Sequence, residues 1–177
     1  MTHLFDQVID RRKTDSLKWS RYPEDVLPLW VADMDFPAPM EAIQAIQERL
    51  EHPIFGYAVE DEELLEAIVQ WLNSRYGWQV QTEMIRLMPG VVTGLNWTAH
   101  ALLEKGERYA IQTPVYGPFF DIADHVNLQR MEIPLTEKRN RYEIDFEAFE
   151  QQIRQDVKLF VLCNPHNPIG RVFTREE

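Results

Sequence analysis

The sequence predicts an α/β protein built on a largely parallel sheet with helices on both faces. Three observations predict it. From residue 85 onward, short apolar runs of strand length alternate with stretches of helical period. Glycine or proline punctuates nearly every junction between them. The final apolar run, residues 159–162, is too short for a helix and ends in two Asn-Pro pairs flanking His166.

The elements follow in order. Residues 1–39 are irregular and charged, with Pro23, Pro28, Pro37 and Pro39 toward the end and an extended run over 27–32. They read as an N-terminal arm, or part of a small domain, ahead of a larger domain beginning at residue 40. Ile43, Ile46 and Leu50 share one face of a helix starting near Met40. Leu64, Leu65, Ile68, Val69 and Leu72 make a second helical face, closed by Gly77. Residues 85–88 read as a short strand, and Pro89-Gly90 turns into a helix with Leu95, Ala99, Leu102 and Leu103 on one side and Gly106 at its end. A strand at 109–111 leads through Pro114 to a helix over 118–127. Strands at 128–133 and 142–144 follow, then a helix capped by Asp145 and a last strand at 158–162. Thr174 and Glu177 have the S/T-x-x-E spacing of a capping box, which announces a further helix. The chain is therefore expected to be the N-terminal piece of a longer protein, its larger domain incomplete.

Composition narrows the function classes. At 177 residues, with 45% hydrophobic and 27% charged residues, the chain can bury a core of ordinary size. A net charge of −11 argues against nucleic acid or an anionic membrane as a partner. The N-terminus has charges throughout and no apolar segment, and no window approaches a membrane span. The single cysteine, Cys163, fits a reducing cytoplasm and reads as a packed thiol. Five histidines show no metal-ligand spacing, so no metal is expected.

Parallel α/β sheets bind ligands beyond the carboxyl ends of their strands. Three such ends carry unusual residues: MPGVVTG (88–94), TPVYGP (113–118) and NPHNPIG (164–170). In the first, Gly90 permits a tight turn, and the amides of Val91, Val92 and Thr93 are free donors at a helix start, suited to a phosphate. Any strand–glycine–helix junction offers the same amides. In the second, Tyr116 stands between a proline and a Gly-Pro pair, placed either to stack on a flat ligand or to pack on its own helix. In the third, prolines fix the backbone around Asn167, whose amide is either an oriented donor or an ordinary turn residue. His166 reads as a turn residue rather than a general base. A phosphate seat, a stacking surface and an oriented amide together suit pyridoxal phosphate. NAD fits less well, since no G-x-G-x-x-G follows a strand and only 7 glycines are present.

NPHNPIGR resembles the N-P-x-N-P-x-G signature of the class I/II aminotransferases, the fold-type I pyridoxal-phosphate enzymes. RRKTDSLKW, LPLWVADMDFPAP, HPIFGYA, PGVVTGL and TPVYGPFF are similar to the branch of cystathionine and cysteine-S-conjugate β-lyases (MalY/PatB type). The resemblance covers essentially the whole chain. It implies that amides around Val91 and Val92 hold the cofactor phosphate, Tyr116 stacks on the pyridine ring and Asn167 donates to the ring's phenolate oxygen. Tyr57 would reach the phosphate of a neighbouring subunit's cofactor, implying a homodimer. Residues near Ala32 and Asp33 would line the entrance for a sulfur-containing amino acid. An aminotransferase of the same fold shares every motif, and a non-catalytic partner module is a reading of another class.

The family's Schiff-base lysine has no counterpart here. Lys13, Lys18, Lys105, Lys138 and Lys158 are the five lysines, and none follows the asparagine signature in a serine/lysine context. The lysine is expected beyond Glu177. Residues 1–177 alone are therefore predicted to form no yellow lysine-bound cofactor and to release no pyruvate from cystathionine, which a coupled pyruvate assay checks.

Overall fold

The computed structural model describes residues 4–154 and 156–177, apart from the side chains at positions 4, 123, 125 and 126. The chain divides into two compact units, Met1–Glu60 and Asp61–Glu177.

In the first unit, α1 (Leu17–Ser20) and α2 (Met40–Leu50) are the helices longer than a single 3-10 turn, which covers Leu4–Asp6. The apolar face expected of α2 exists but has no core partner within the unit: Ile46 and Leu50 are exposed, and no residue of the helix is buried. Charge rather than apolar burial ties the irregular arm together. Arg11 bridges Asp33 and Asp35 at 2.8 Å each, and Lys18 Nζ lies 2.6 Å from Asp35. Lys18 also donates to the Asp33 carbonyl at 2.7 Å, and the Trp19 indole N–H donates to Asp35 at 2.8 Å. Partners 15–24 residues apart in sequence are thus held in one cluster.

In the second unit, α3 (Glu62–Tyr76) starts at Asp61, whose carboxylate accepts from the amides of Glu63 and Leu64. It ends at Gly77, where φ of +63° is the left-handed cap that glycine adopts without strain. Residues 85–88 are not a strand. They follow a 3-10 turn (Thr82–Met84) and continue extended at Ile85, but among the described residues they join no ladder, and extended backbone without a paired neighbour is not a strand. The strand β1 (Arg108–Thr113) is the centre of a parallel sheet ordered β2-β1-β5. Here β2 is Gln129–Pro134 and β5 is Val157–Val161. Tyr109, Ala110, Ile111 and Gln112 are all buried, as a strand covered on both faces requires.

The two faces take different helices. Tyr109 and Ile111 share a core with Ala99 and Leu103 of α4 (Val91–Leu102 and its cap) and Ile122 of α5 (Pro118–Val126). Leu102 points away and is exposed, so the core-facing row of α4 is Leu95, Ala99 and Leu103. On the opposite face, Phe160 pairs in register with Ala110 and meets Phe149 of α6 (Phe146–Ile153) edge-on, with ring centroids 5.1 Å apart. Right-handed crossovers demand this division. The chain steps from β1 to β2 in one direction and from β2 back past β1 to β5 in the other. Between them sits a hairpin, β3 (Thr136–Lys138) and β4 (Arg141–Glu143), turning at Arg139 and Asn140, both at positive φ. Asp145 caps α6 as expected, accepting from the Ala148 amide at 3.0 Å.

The acidic cluster gives a pH prediction. Lys18 foremost, then Trp19 and Arg11, hold the Asp35 carboxyl well below the usual carboxylate range. A depressed folded-state pKa contributes stability above the unfolded value of about 4 and loses it as pH falls through the folded value. Asp35→Asn should thus lower the thermal midpoint of the full-length protein at pH 6–7. The gap to wild type should narrow below roughly pH 4 and with added salt, as melts across pH 2–7 will measure.

Candidate functional site

Three segments of the second unit converge where the parallel strands end. The geometry of α4 places the first. The helix leads into β1 through residues 103–107, and Ala99 and Leu103 share a core with Tyr109. A 12-residue helix is about 18 Å long and a six-residue strand about 20 Å, so the start of α4 comes level with the exit of β1. Gly90, the N-cap, lies at φ +107° and ψ +153°, a region that side chains bearing a Cβ avoid. Having no side chain, it leaves the first-turn donors uncapped; the first intrahelical bond is from Gly94 to Gly90 at 3.0 Å. The amides of Val91, Val92 and Thr93 therefore have no intrahelical acceptor, at the positive end of the helix dipole.

The second segment leaves β1. The last ladder bond runs from Leu135 N–H to Thr113 O at 2.8 Å. Val115 then anchors in the core while its neighbour Tyr116 turns out and is 48% exposed. The α5 helix is pinned behind it, because the buried Tyr109 hydroxyl lies 3.0 and 3.2 Å from the carbonyls of Phe119 and Phe120.

The third segment leaves β5, the neighbour of β1. Its two asparagines differ in what they do. Asn164 Oδ1 accepts from the Phe173 amide at 3.1 Å, so that side chain is spent on closing the loop. Asn167 is exposed, and among the described residues its side-chain amide has no hydrogen-bond partner. The loop is cinched between them by His166 N–H to Arg171 O at 2.6 Å and Gly170 N–H to His166 O at 2.9 Å. Three Xaa-Pro bonds here, at Pro114, Pro165 and Pro168, are cis. Cys163 packs against the core, and its sulfur accepts from the Asn167 main-chain N–H at 3.4 Å.

Sequence reasoning missed two features. His166 is a turn residue, as expected, but it is 1% exposed, and its Nε2 lies 2.9 Å from the Pro114 carbonyl, 52 residues away. Arg171 reaches Tyr142 O at 2.7 Å, pairs with Glu177 and lies over the Phe173 ring. The capping box is formed: Thr174 N–H donates to Glu177 Oε2 at 2.9 Å, and Glu177 N–H to Thr174 Oγ1 at 3.4 Å. The Thr174 amide and then Arg171 hold the Glu177 carboxyl below its usual range.

The remaining predicted positions belong to the first unit. Ala32 and Tyr57 are exposed there, while Asp33 is engaged by Arg11 at 2.8 Å. No lysine of the second unit lies at the strand exits. Lys105 precedes β1, Lys158 is the second residue of β5 and pairs with Asp156, and Lys138 closes the hairpin. Among the described residues, no three His, Cys, Asp or Glu side chains converge as a metal site, and no helix is long and apolar enough to cross a membrane.

In the order of its parallel strands this sheet reads 2-1-3, and its winding reverses at β1. The crevice outside β1 and β5 is where doubly wound sheets take their ligands. With an uncapped helix start, an exposed aromatic and a free side-chain amide at that crevice, the fold defines a doubly wound α/β protein. Comparison makes the assignment specific. The profile of the aminotransferase class I and II family matches residues 24–177, and the chain belongs to that family. It is 43% identical over 179 residues to cystathionine β-lyase PatB of Bacillus subtilis, covering 98% of this chain and 46% of that protein. Among solved structures, cystalysin from Treponema denticola, which contains pyridoxal 5′-phosphate, superposes with a TM-score of 0.91 at 33% identity, covering 100% of this chain and 47% of that one. A pyridoxal-phosphate-bound C–S lyase from Staphylococcus hominis gives 0.90 at 37% identity, over 99% and 46%. The expected fold type I architecture is therefore present, and the chain spans under half the length of the relatives it matches.

The division of labour between the asparagines is testable. Asn164→Ala should cost about 0.5–1.5 kcal/mol by leaving the Phe173 amide without its acceptor. The full-length variant should melt earlier with the spectrum of any bound cofactor unchanged.

Proposed function

We propose that the protein carrying this chain is a pyridoxal-phosphate-dependent C–S β-lyase acting on cystathionine or a cysteine S-conjugate. The overall reaction is cleavage of the Cβ–S bond with water, giving a thiol, pyruvate and ammonia. One observation carries the reading: the 43% identity to a cystathionine β-lyase runs through 98% of the chain, loops included. The crevice itself fits the cofactor. Its donors are unspent, Gly90 keeps the helix start open, and Tyr116 presents an exposed ring.

When bound, pyridoxal phosphate supplies an electron-withdrawing ring that stabilises the negative charge left when the substrate's Cα proton is removed. The residues of this chain hold and orient it. Amides of Val91 and Val92, at the positive end of α4, bind the phosphate dianion. Tyr116 lies against one ring face and fixes its plane. The Asn167 side-chain amide would donate to the phenolate oxygen, a charge-assisted bond that keeps that oxygen deprotonated. Tyr57 reaches a partner subunit's phosphate in a homodimer, and Ala32 and Asp33 lie at the substrate entrance. On this reading residues 1–39 belong to the arm and small domain, and residues 40–177 open the cofactor-binding domain. The proton-transferring lysine lies outside residues 1–177, and the enzyme is cytoplasmic.

A second reading, an aminotransferase, is favoured by the family profile itself. The products separate the two: pyruvate with a thiol, against a keto acid of unchanged skeleton. Full-length protein incubated with cystathionine should release both pyruvate and thiol. For the site, Asn167→Ala removes a bond worth about 1.5–3 kcal/mol, so turnover should fall by roughly one to two powers of ten. The visible band of the bound cofactor should titrate at a shifted pH while the cofactor stays bound. An unshifted titration in Asn167→Ala with a shifted one in Asn164→Ala would reverse the roles given to the two asparagines.

A further inference from the structure

We propose that His166 is a positioning residue that couples the Tyr116 loop to the Asn167 loop, so that ring plane and amide donor are set together. The proposal rests on the cofactor reading above for what is positioned, and on the loop geometry for how.

The geometry leaves the imidazole little else to do. His166 is 1% exposed and immediately precedes Asn167. Its Nε2 is 2.9 Å from the Pro114 carbonyl, two residues before Tyr116. A carbonyl only accepts, so Nε2 carries the proton and donates. Pro114 lies one residue past the last ladder bond of β1 at Thr113, so its carbonyl has left the sheet. The other ring nitrogen, Nδ1, is buried with no partner among the described residues. The bond to Pro114 is thus the polar link that orients the ring, and the Phe173 ring packs against it in a T-shaped arrangement with centroids 5.7 Å apart. The backbone of His166 is fixed at the same time by Arg171 and Gly170, so displacing the ring moves the segment that carries Asn167.

An apolar filler of the same pocket would not have this effect, and the chemistry of two amides tells the cases apart. Glutamine places its amide nitrogen near the position of Nε2 and can still donate to Pro114 O. Asparagine is shorter, reaches only the position of Nδ1 and cannot. If His166 merely fills space, His166→Gln and the similarly sized His166→Met, which cannot donate, behave alike; if it couples the loops, only His166→Gln preserves the link.

The test uses the full-length protein. In the cofactor-free wild type, the side-chain nitrogen NMR spectrum should show Nε2 of His166 protonated; an Nδ1–H tautomer with bare Nε2 overturns the proposal. Hydrogen exchange in His166→Asn should rise both in residues 115–120 and in residues 166–171, while His166→Gln should stay near wild type. Faster exchange confined to residues 166–171, or His166→Met as protected as His166→Gln, overturns it. With pyridoxal phosphate, His166→Asn should weaken binding about 3- to 10-fold, the loss of one ordinary hydrogen bond, and shift the pH titration of the visible band. His166→Gln should recover most of both. Wild-type protein that binds no pyridoxal phosphate sinks the cofactor reading alone, because the tautomer and the exchange pattern still decide the coupling. Should His166→Asn fail to fold, the wild-type tautomer and the exchange of His166→Gln decide it.

Discussion

The second unit hangs on one constraint: β1 is hydrogen-bonded along both edges and buried on both faces. A strand in that position can contribute no solvated side chain, which is why Tyr109 to Gln112 are closed off and why the Tyr109 hydroxyl must find carbonyls inside. Its two neighbours fix which loops can meet. Because β1 and β5 are adjacent and parallel, their exits lie side by side, and a residue after one can touch a residue after the other across 52 positions of sequence. The site is a consequence of register before it is a consequence of any side chain.

The first unit is organised by a different kind of force. With no buried helix face, it relies on two cations and two carboxylates that alternate around Asp35. Such clusters are exposed enough to be screened, and their strength varies with salt and acid in a way that apolar cores do not. The two units should therefore respond differently to the same solvent.

Helices were legible in the sequence where period and cap agreed. Gly77 and Asp145 marked their ends because the physics of a helix terminus is local. Residues 85–88 look like a strand for equally local reasons, yet a strand exists only where a neighbour offers an edge, and the sequence does not say which edges are free. The hairpin strand β3 was hidden by its turn, since Arg139 gives no hint of the positive φ it adopts. Of the site, the residues that face outward were readable: glycine before a helix, an aromatic between prolines, an asparagine held by prolines. The residue that ties them together was not. Between two prolines His166 looks like surface, and only the tertiary fold puts it inside.

Gly90 carries one more implication. On the proposed reading the phosphate seat is made of main-chain N–H groups and has no side chain of its own to lose. Substitutions at Val91 and Val92, both exposed, leave the donors in place, so those positions can drift while affinity for the anion holds. The vulnerable point is the glycine, where any Cβ would push the backbone out of its φ. Sequence variation across such a seat would be broad at the residues that supply its donors and narrow at the glycine, which supplies none.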